Sequence, residues 1–243
     1  MPDLKQYQTE LRKMILNARH PVFFGGAGVS TESGIPDFRS VDGLYRQKWS
    51  LPPEEIISRH FFVQEPEEFW RFYREKMLFP DAKPNKAHLA LAHLEAKGHM
   101  ACVITQNIDG LHQAAGSKNV VELHGSVHRN HCLRCGKVYS LADVLEVPGV
   151  PKCPCGGIIK PDVVLYEESL PMDALERTAD EIEQADLMIV GGTSLSVYPA
   201  ASFVQHYRGD LVIINRSPTP QDYRATLLIP EKIGETMSAL LDI

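Results

Sequence analysis

Pro21-Val22-Phe23-Phe24-Gly25-Gly26-Ala27-Gly28-Val29-Ser30 passes from an uninterrupted apolar run straight into a loop of small residues. An apolar run closed by glycine reads as a fully buried strand. Small residues at its carboxyl end let backbone amides approach a phosphate that side chains would exclude. A tight strand-to-loop connection has the same composition, so the motif needs support from elsewhere in the chain. It also departs from the dehydrogenase fingerprint. Thr31 stands three residues after Gly28 where that fingerprint has Gly, and the second strand runs into Thr105-Gln106-Asn107 with no acid for a ribose diol. A standard dehydrogenase is disfavoured.

Working outward, runs rich in Val and Ile at 100–105, 120–123, 162–166, 187–191, 211–215 and 226–229 predict further strands. Helical spacing predicts helices at 4–18, after the cap Asn85 as far as Gly98, and around Leu175, Ala179 and Ile182. This alternation is the pattern of an α/β fold with a doubly wound parallel sheet, helices covering both faces. Two segments break it. Residues 39–80 hold Phe61, Phe62, Phe69, Trp70, Phe72 and Tyr73 and read as helices joined by loops; residues 128–160 hold four cysteines and little periodic apolar pattern. Together they read as a small inserted domain, leaving 1–38, 81–127 and 161–243 for the large one.

At 243 residues, with 44% hydrophobic and 23% charged residues, the chain can bury a core. Lys plus Arg is 25 against 31 for Asp plus Glu, a net charge of −6, so direct nucleic-acid binding has no electrostatic footprint. Apolar runs such as 187–190 and 211–214 are far short of the roughly 20 residues that span a bilayer, so no membrane partner is expected. Asp3, Lys5, Glu10, Arg12 and Lys13 interrupt the stretch where a secretory signal would be apolar, which predicts a cytoplasmic protein.

Of five cysteines, Cys102 lies in an apolar run and reads as inert core. The others form Cys132-Leu133-Arg134-Cys135, then seventeen residues, then Cys153-Pro154-Cys155-Gly156-Gly157. Two thiolate pairs, each followed by Gly that permits a tight knuckle, match a closed four-Cys structural zinc site. A redox pair and two unrelated pairs are the competing readings. His128 and His131 lie nearby and read as surface histidines.

Polar residues gather at the strand ends: Gln106, Asn107 and Asp109 after one, His124 after the next, Thr193 and Ser194 after another, Asn215 after a fourth. Each alone has a structural reading as a helix cap, a turn or a satisfied histidine. In a doubly wound sheet, however, the carboxyl ends converge on one crevice where ligands bind.

With these motifs in order, the chain resembles the sirtuin family of NAD-dependent protein deacylases over nearly its whole length. The segments that carry the resemblance are Gly26-Ala27-Gly28-Val29-Ser30-Thr31-Glu32-Ser33-Gly34-Ile35-Pro36-Asp37-Phe38-Arg39, Thr105-Gln106-Asn107-Ile108-Asp109 and Leu123-His124-Gly125. After them come the cysteine pairs, Lys160-Pro161-Asp162-Val163-Val164, Gly191-Gly192-Thr193-Ser194-Leu195 and Ile214-Asn215. The resemblance implies a Rossmann-type large domain, a small domain of helical module plus zinc ribbon, and an active site in the cleft between them.

It further implies that NAD is a co-substrate and that acetylated lysine proteins or peptides are the partners, the products being free lysine, nicotinamide and O-acetyl-ADP-ribose. On that basis Gly26, Ala27, Gly28, Thr31, Phe38 and Arg39 lie along NAD, with Phe38 shielding the ribose. Gln106, Asn107 and Asp109 hold the nicotinamide and its ribose, with Asn107 also counted as catalytic, and Ile108 sits beside the departing ring. Thr193, Ser194 and Asn215 bind the adenosine half, and Ile233 packs on the adenine. His124 is the general base that accepts a ribose hydroxyl proton. Val163 and its neighbours pair with the substrate peptide by strand addition.

Three features depart from the family pattern. The second cysteine pair is CxC, Tyr166-Glu167-Glu168 replaces Phe-Gly-Glu, and Tyr73-Arg74-Glu75-Lys76 has Lys where succinyl- or malonyl-preferring members have Arg. Lys76 lacks the bidentate fork that grips a carboxylate. Protein mono-ADP-ribosyl transfer, a longer acyl preference and a non-catalytic NAD-binding module are the alternative functions. A general base at His124 beside a peptide-pairing segment favours deacetylation over ribosyl transfer, and a binding module leaves His124 and Asn107 without a task.

Overall fold

The structure, a computed structural model, describes residues 3–37 and 51–243. The chain opens with α1 (Leu4–Asn17), started by Asp3, whose carboxylate accepts the Gln6 amide at 2.8 Å while the Gln6 side chain accepts the Asp3 N–H at 3.0 Å. β1 (Pro21–Gly25) leads toward a helical module of α2 (Pro53–Ile56), α3 (Arg59–Gln64) and α4 (Pro66–Lys76). Next come α5 (Lys86–Ala96), β2 (Cys102–Thr105), α6 (Leu111–Ala115) and β3 (Val120–Glu122). The ribbon contributes β4 (Gly125–Cys132), β5 (Val138–Ser140), α7 (Leu141–Leu145) and β6 (Ile159–Val163). The chain closes through α8 (Met172–Gln184), β7 (Leu187–Gly191), α9 (Ala200–His206), β8 (Asp210–Ile214), β9 (Leu227–Ile229) and α10 (Ile233–Ser238).

Six strands pair in the order β3-β2-β1-β7-β8-β9, every pair parallel. Alternate residues serve opposite faces. Phe23, Ile189 and Val212 join α1, α5 and α10 in one core, while Val22, Phe24, Met188 and Ile213 join α8 and α9 in the other. Winding runs outward from β1 on one side and from β7 on the other, so the strand order reverses between them and opens a crevice at their carboxyl ends. There the two loops nearly touch: the Gly28 N–H donates to the Gly192 carbonyl at 2.8 Å, and the Gly26 N–H to that of Gly191 at 3.1 Å.

The second sheet is three-stranded and antiparallel, in the order β5-β4-β6. It shares one core with the helical module, where Phe69 and Trp70 pack with Val127, Cys132, Cys153 and Ile159. Phe69 stacks on Tyr73 at 5.6 Å, and Trp70 meets both edge-on. The described part of the 39–80 segment and the ribbon therefore form one module with a shared core.

One strand expectation is corrected. Residues 162–166 do not join the parallel sheet: β6 ends at Val163, pairs antiparallel with β4, and the chain then leaves the ladder. A short apolar run announces burial and not the sheet in which it is buried. The small sheet also extends three residues beyond each sequence-based domain cut, since β4 begins at Gly125 and β6 ends at Val163.

A Cβ on Gly28 would lie 2.8 Å from both the Cα and the carbonyl oxygen of Gly192, backbone that no side-chain rotation can clear. Gly28→Ala is therefore expected to lower the unfolding free energy by about 2 kcal/mol. Urea titration measures it, and wild-type stability would show that the two loops separate freely.

Candidate active site and metal centre

A cleft of about 740 Å³ lies between the carboxyl edge of the parallel sheet and the small module, within the size range of cofactor pockets. Its walls bring together Gly26, Ala27, Gly28, Gln106, Asn107, Ile108, Asp109, His124, Val163, Thr193, Ser194 and Asn215, residues scattered over nearly 190 positions. Two sequence candidates lie elsewhere. The Thr31 hydroxyl closes its own turn by donating to the Gly28 carbonyl at 2.9 Å. Ile233 is buried in the core at the start of α10, and a Cβ on Gly191 would meet its Cδ1 at 2.3 Å. Phe38 and Arg39 lie outside the described residues.

His124 sits in the turn between β3 and β4. Its Nδ1 lies 2.9 Å from the Gln106 carbonyl, which can only accept, so Nδ1 carries the proton and Nε2 keeps its lone pair. Burial pushes its pKa below the ordinary 6.5, partly opposed by the bond to Gln106. The ring is therefore a neutral base at neutral pH. Its own carbonyl accepts the Val164 N–H at 2.9 Å, tying the turn to the end of β6.

Sequence reasoning gave Ser30 no role, yet it organises one wall. Buried at 1% exposure, its hydroxyl donates to the Asp109 carboxylate at 2.6 Å and accepts from the Asn107 amide at 3.1 Å. Asp109 also accepts the Leu111 N–H at 2.9 Å. The Gln106 amide donates to the Thr193 hydroxyl at 3.2 Å. Asn85, expected only to cap α5, donates to the Val29 carbonyl at 2.7 Å and to the Ser33 hydroxyl at 3.0 Å, which pins the glycine loop. A hydroxyl directly after a Gly-rich loop was the available signal for Ser30, but its partners lie almost eighty positions away.

The other side of the cleft holds the departures noted above. Glu167 has φ of +75°, the left-handed region that favours glycine. Its carboxylate is turned back to α3, accepting the His60 N–H at 3.0 Å and contacting Nδ1 at 2.7 Å. Tyr73 and Lys76 both line the cleft, and the Lys76 ammonium pairs with Glu75 at 2.9 Å.

The four ribbon sulfurs lie within 4.8 Å of one another, with Cys132 and Cys155 at 3.5 Å and Cys135 and Cys153 at 3.6 Å. A disulfide needs about 2.05 Å, whereas a tetrahedral zinc with bonds of about 2.3 Å sets its sulfurs roughly 3.8 Å apart. The set fits one zinc ion with no position left for substrate. Gly136 and Gly156 have φ of +72° and +84°, which turns each knuckle, and a Cβ on Gly157 would strike the Cys132 sulfur at 2.6 Å. The CxC spacing thus keeps the ligand set intact.

The profile of the Sir2 family matches residues 26–199, and the chain belongs to that family. It is 53% identical over 238 residues to an NAD-dependent protein deacetylase of Clostridium perfringens, covering 96% of this chain and 98% of that one. It is also 53% identical over 234 residues to one of Cutibacterium acnes, covering 95% and 96%. Among solved structures, a Sir2 with a p53 peptide and NAD+ superimposes with a TM-score of 0.86 at 44% identity, covering 97% of each chain. A Sir2 with a deacetylated p53 peptide and 3'-O-acetyl ADP ribose gives 0.89 at 44%, again covering 97% of each.

Because Cys132 and Cys153 sit in the core built around Trp70, metal loss should spread beyond the ribbon. Chelation or Cys135→Ala is expected to unfold the small module and abolish activity. Metal analysis beside near-ultraviolet circular dichroism checks this. Full activity in protein shown to be zinc-free would refute it.

Proposed function

We propose that the protein is an NAD-dependent protein lysine deacetylase that converts acetyl-lysine, NAD and one water to lysine, nicotinamide and O-acetyl-ADP-ribose. The observation that carries this reading is His124 in the wall of the cleft with Nδ1 held by the Gln106 carbonyl, beside the glycine loop, the Asn107 network and the end of β6. Membership of the Sir2 family and the names of its relatives support the same activity.

NAD, when bound, supplies a ribose carbon whose bond to nicotinamide gives way to one with the acyl oxygen of the substrate. Gly26, Ala27 and Gly28 offer backbone amides without side chains in the way, the arrangement that suits a pyrophosphate. Thr193, Ser194 and Asn215 hold the adenosine end, with the Ile233 side chain buried in the core behind them. Asn107 and Asp109, locked through Ser30, hold the nicotinamide and its ribose. His124 Nε2 takes a ribose hydroxyl proton, for which a neutral imidazole is required. Val163 and its neighbours pair with the peptide, and the bond from Val164 to the His124 carbonyl keeps peptide register and base in step. Zinc held by Cys132, Cys135, Cys153 and Cys155 is structural. No helix among the described residues is long and apolar enough to cross a membrane, and four cysteines arranged for a metal suit a reducing cytoplasm.

His124→Ala is expected to keep the melting temperature and NAD binding while deacetylation falls about 10² to 10⁴-fold. Since burial lowers the pKa, the base stays unprotonated to lower pH than a free imidazole, so the acid limb of kcat/KM should have its midpoint below 6.5. Near-normal turnover in His124→Ala, or a limb above 6.5, would remove His124 from this role.

Lys76 spends its charge on Glu75 and lacks a guanidinium fork. An acetyl-lysine peptide should therefore show a higher kcat/KM than its succinyl-lysine counterpart. A preference for succinyl would mean that another group reads the carboxylate.

A further inference from the structure

β4 does not pair continuously with β6. Gly125 and Ser126 face Val163 and Asp162, and pairing resumes only at Asn130 opposite Pro161, so residues 127–129 leave the ladder. Each of the three reaches the large sheet's side of the cleft. The Val127 N–H donates to the Ile108 carbonyl at 2.9 Å. His128 Nε2 lies 2.9 Å from the Asp109 carbonyl, which fixes the proton on that nitrogen. Arg129 binds Glu122, at the end of β3, at 2.7 Å and Asp162 at 3.0 Å.

Consecutive carbonyls of the loop that carries Asn107 and Asp109 are thus held from the ribbon strand. The His128 ring also covers Gly110, whose φ is +72° and whose missing Cβ would lie 2.6 Å from that ring. The carboxylate of Asp109 meanwhile grips Ser30, and Ser30 accepts from Asn107. Movement at the Asp109–Gly110 turn would therefore pass directly to the Asn107 amide. His128, which the sequence presents as a surface histidine, is the side chain through which the bulge reaches that turn; Arg129 braces the strand one residue further on.

We infer that His128 is a positioning residue for the NAD-binding loop, acting through the β4 bulge to hold Asn107 and Asp109 in register with the cofactor. The inference rests on the reading of residues 106–109 as the nicotinamide-side loop. The zinc ribbon thereby gains a task beyond stability: through Val127 and His128 it sets the geometry of the cofactor wall.

The test compares zinc-loaded wild type, His128→Ala, His128→Gln and Asn107→Ala in steady-state deacetylation of an acetyl-lysine peptide, with thermal melts and zinc content of the same samples. Loss of one neutral hydrogen bond is worth about fivefold. His128→Ala should raise KM for NAD by up to that factor, with unchanged peptide KM and zinc content. His128→Gln, whose amide nitrogen can reach the same carbonyl, should recover most of the loss. An unaltered KM for NAD in His128→Ala overturns the proposal. So does a Gln variant no better than Ala with both KM values and the melt shifted together, the mark of a purely structural role. If Asn107→Ala loses activity while His128→Ala is normal, the proposal alone fails; if Asn107→Ala keeps normal kinetics, the reading of the loop fails and takes the proposal with it.

Discussion

Two backbones meet at the centre of this protein with no side chain between them. Gly28 and Gly192 approach closely enough for a 2.8 Å hydrogen bond between loops that follow adjacent parallel strands. That contact is set by the point where strand order reverses, and it fixes the distance between the glycine loop and the Thr193–Ser194 loop. From there the rest of this wall of the cleft follows by short steps. The Gln106 amide reaches Thr193, the Gln106 carbonyl orients His124, and Ser30 gathers Asn107 and Asp109. Apart from the Gln106 amide, these links are made by backbone groups and short side chains, which suits a site that must present groups in one orientation.

The opposite wall is built on a different principle. The helical module and the ribbon are separated in sequence by β2, β3 and their helices, yet share one core centred on Phe69, Trp70 and Tyr73. The ribbon's exposed face carries Leu133, Val138 and Leu145, so much of its apolar surface is unavailable to a core of its own. Metal ligation and aromatic packing offset that shortage together. The bulge in β4 then joins this wall to the first one.

Sequence reading recovered what depends on local pattern. β1 and β7 have the expected bounds, and the polar residues at the strand ends converge because parallel strands place their carboxyl ends on one side. The four cysteines were legible because metal ligation imposes spacing. What escaped depends on partners remote in sequence. Ser30 is an ordinary serine until Asp109 and Asn107 close around it, and His128 is exposed as the sequence reading has it, while its contact with the Asp109 carbonyl comes only from the bulge. The 162–166 run shows the same limit, since apolar alternation is blind to the sheet that receives it. Ile233 came from resemblance alone, and its side chain is in the core.

The segment after β6 shows how a departure from a family pattern can be absorbed. Left-handed backbone at a non-glycine residue costs about 1 to 2 kcal/mol, and Glu167 bears that cost where the resemblance leads one to expect glycine. Its carboxylate returns two contacts to His60 that glycine could not make. Next to it, buried Lys160 reaches the Glu168 carboxylate at 3.0 Å and the Val163 carbonyl at 2.9 Å. Burial works against the ionised form of Glu168, but the Leu165 N–H, Lys160 and Arg59 together hold its pKa below the ordinary carboxyl range. Arg59 and His60 both belong to α3, so these charges anchor residues 163–168 to the helical module from behind. The charge that Glu167 adds is thus directed at the scaffold, and the edge of the cleft gains rigidity where a glycine would have left it freer.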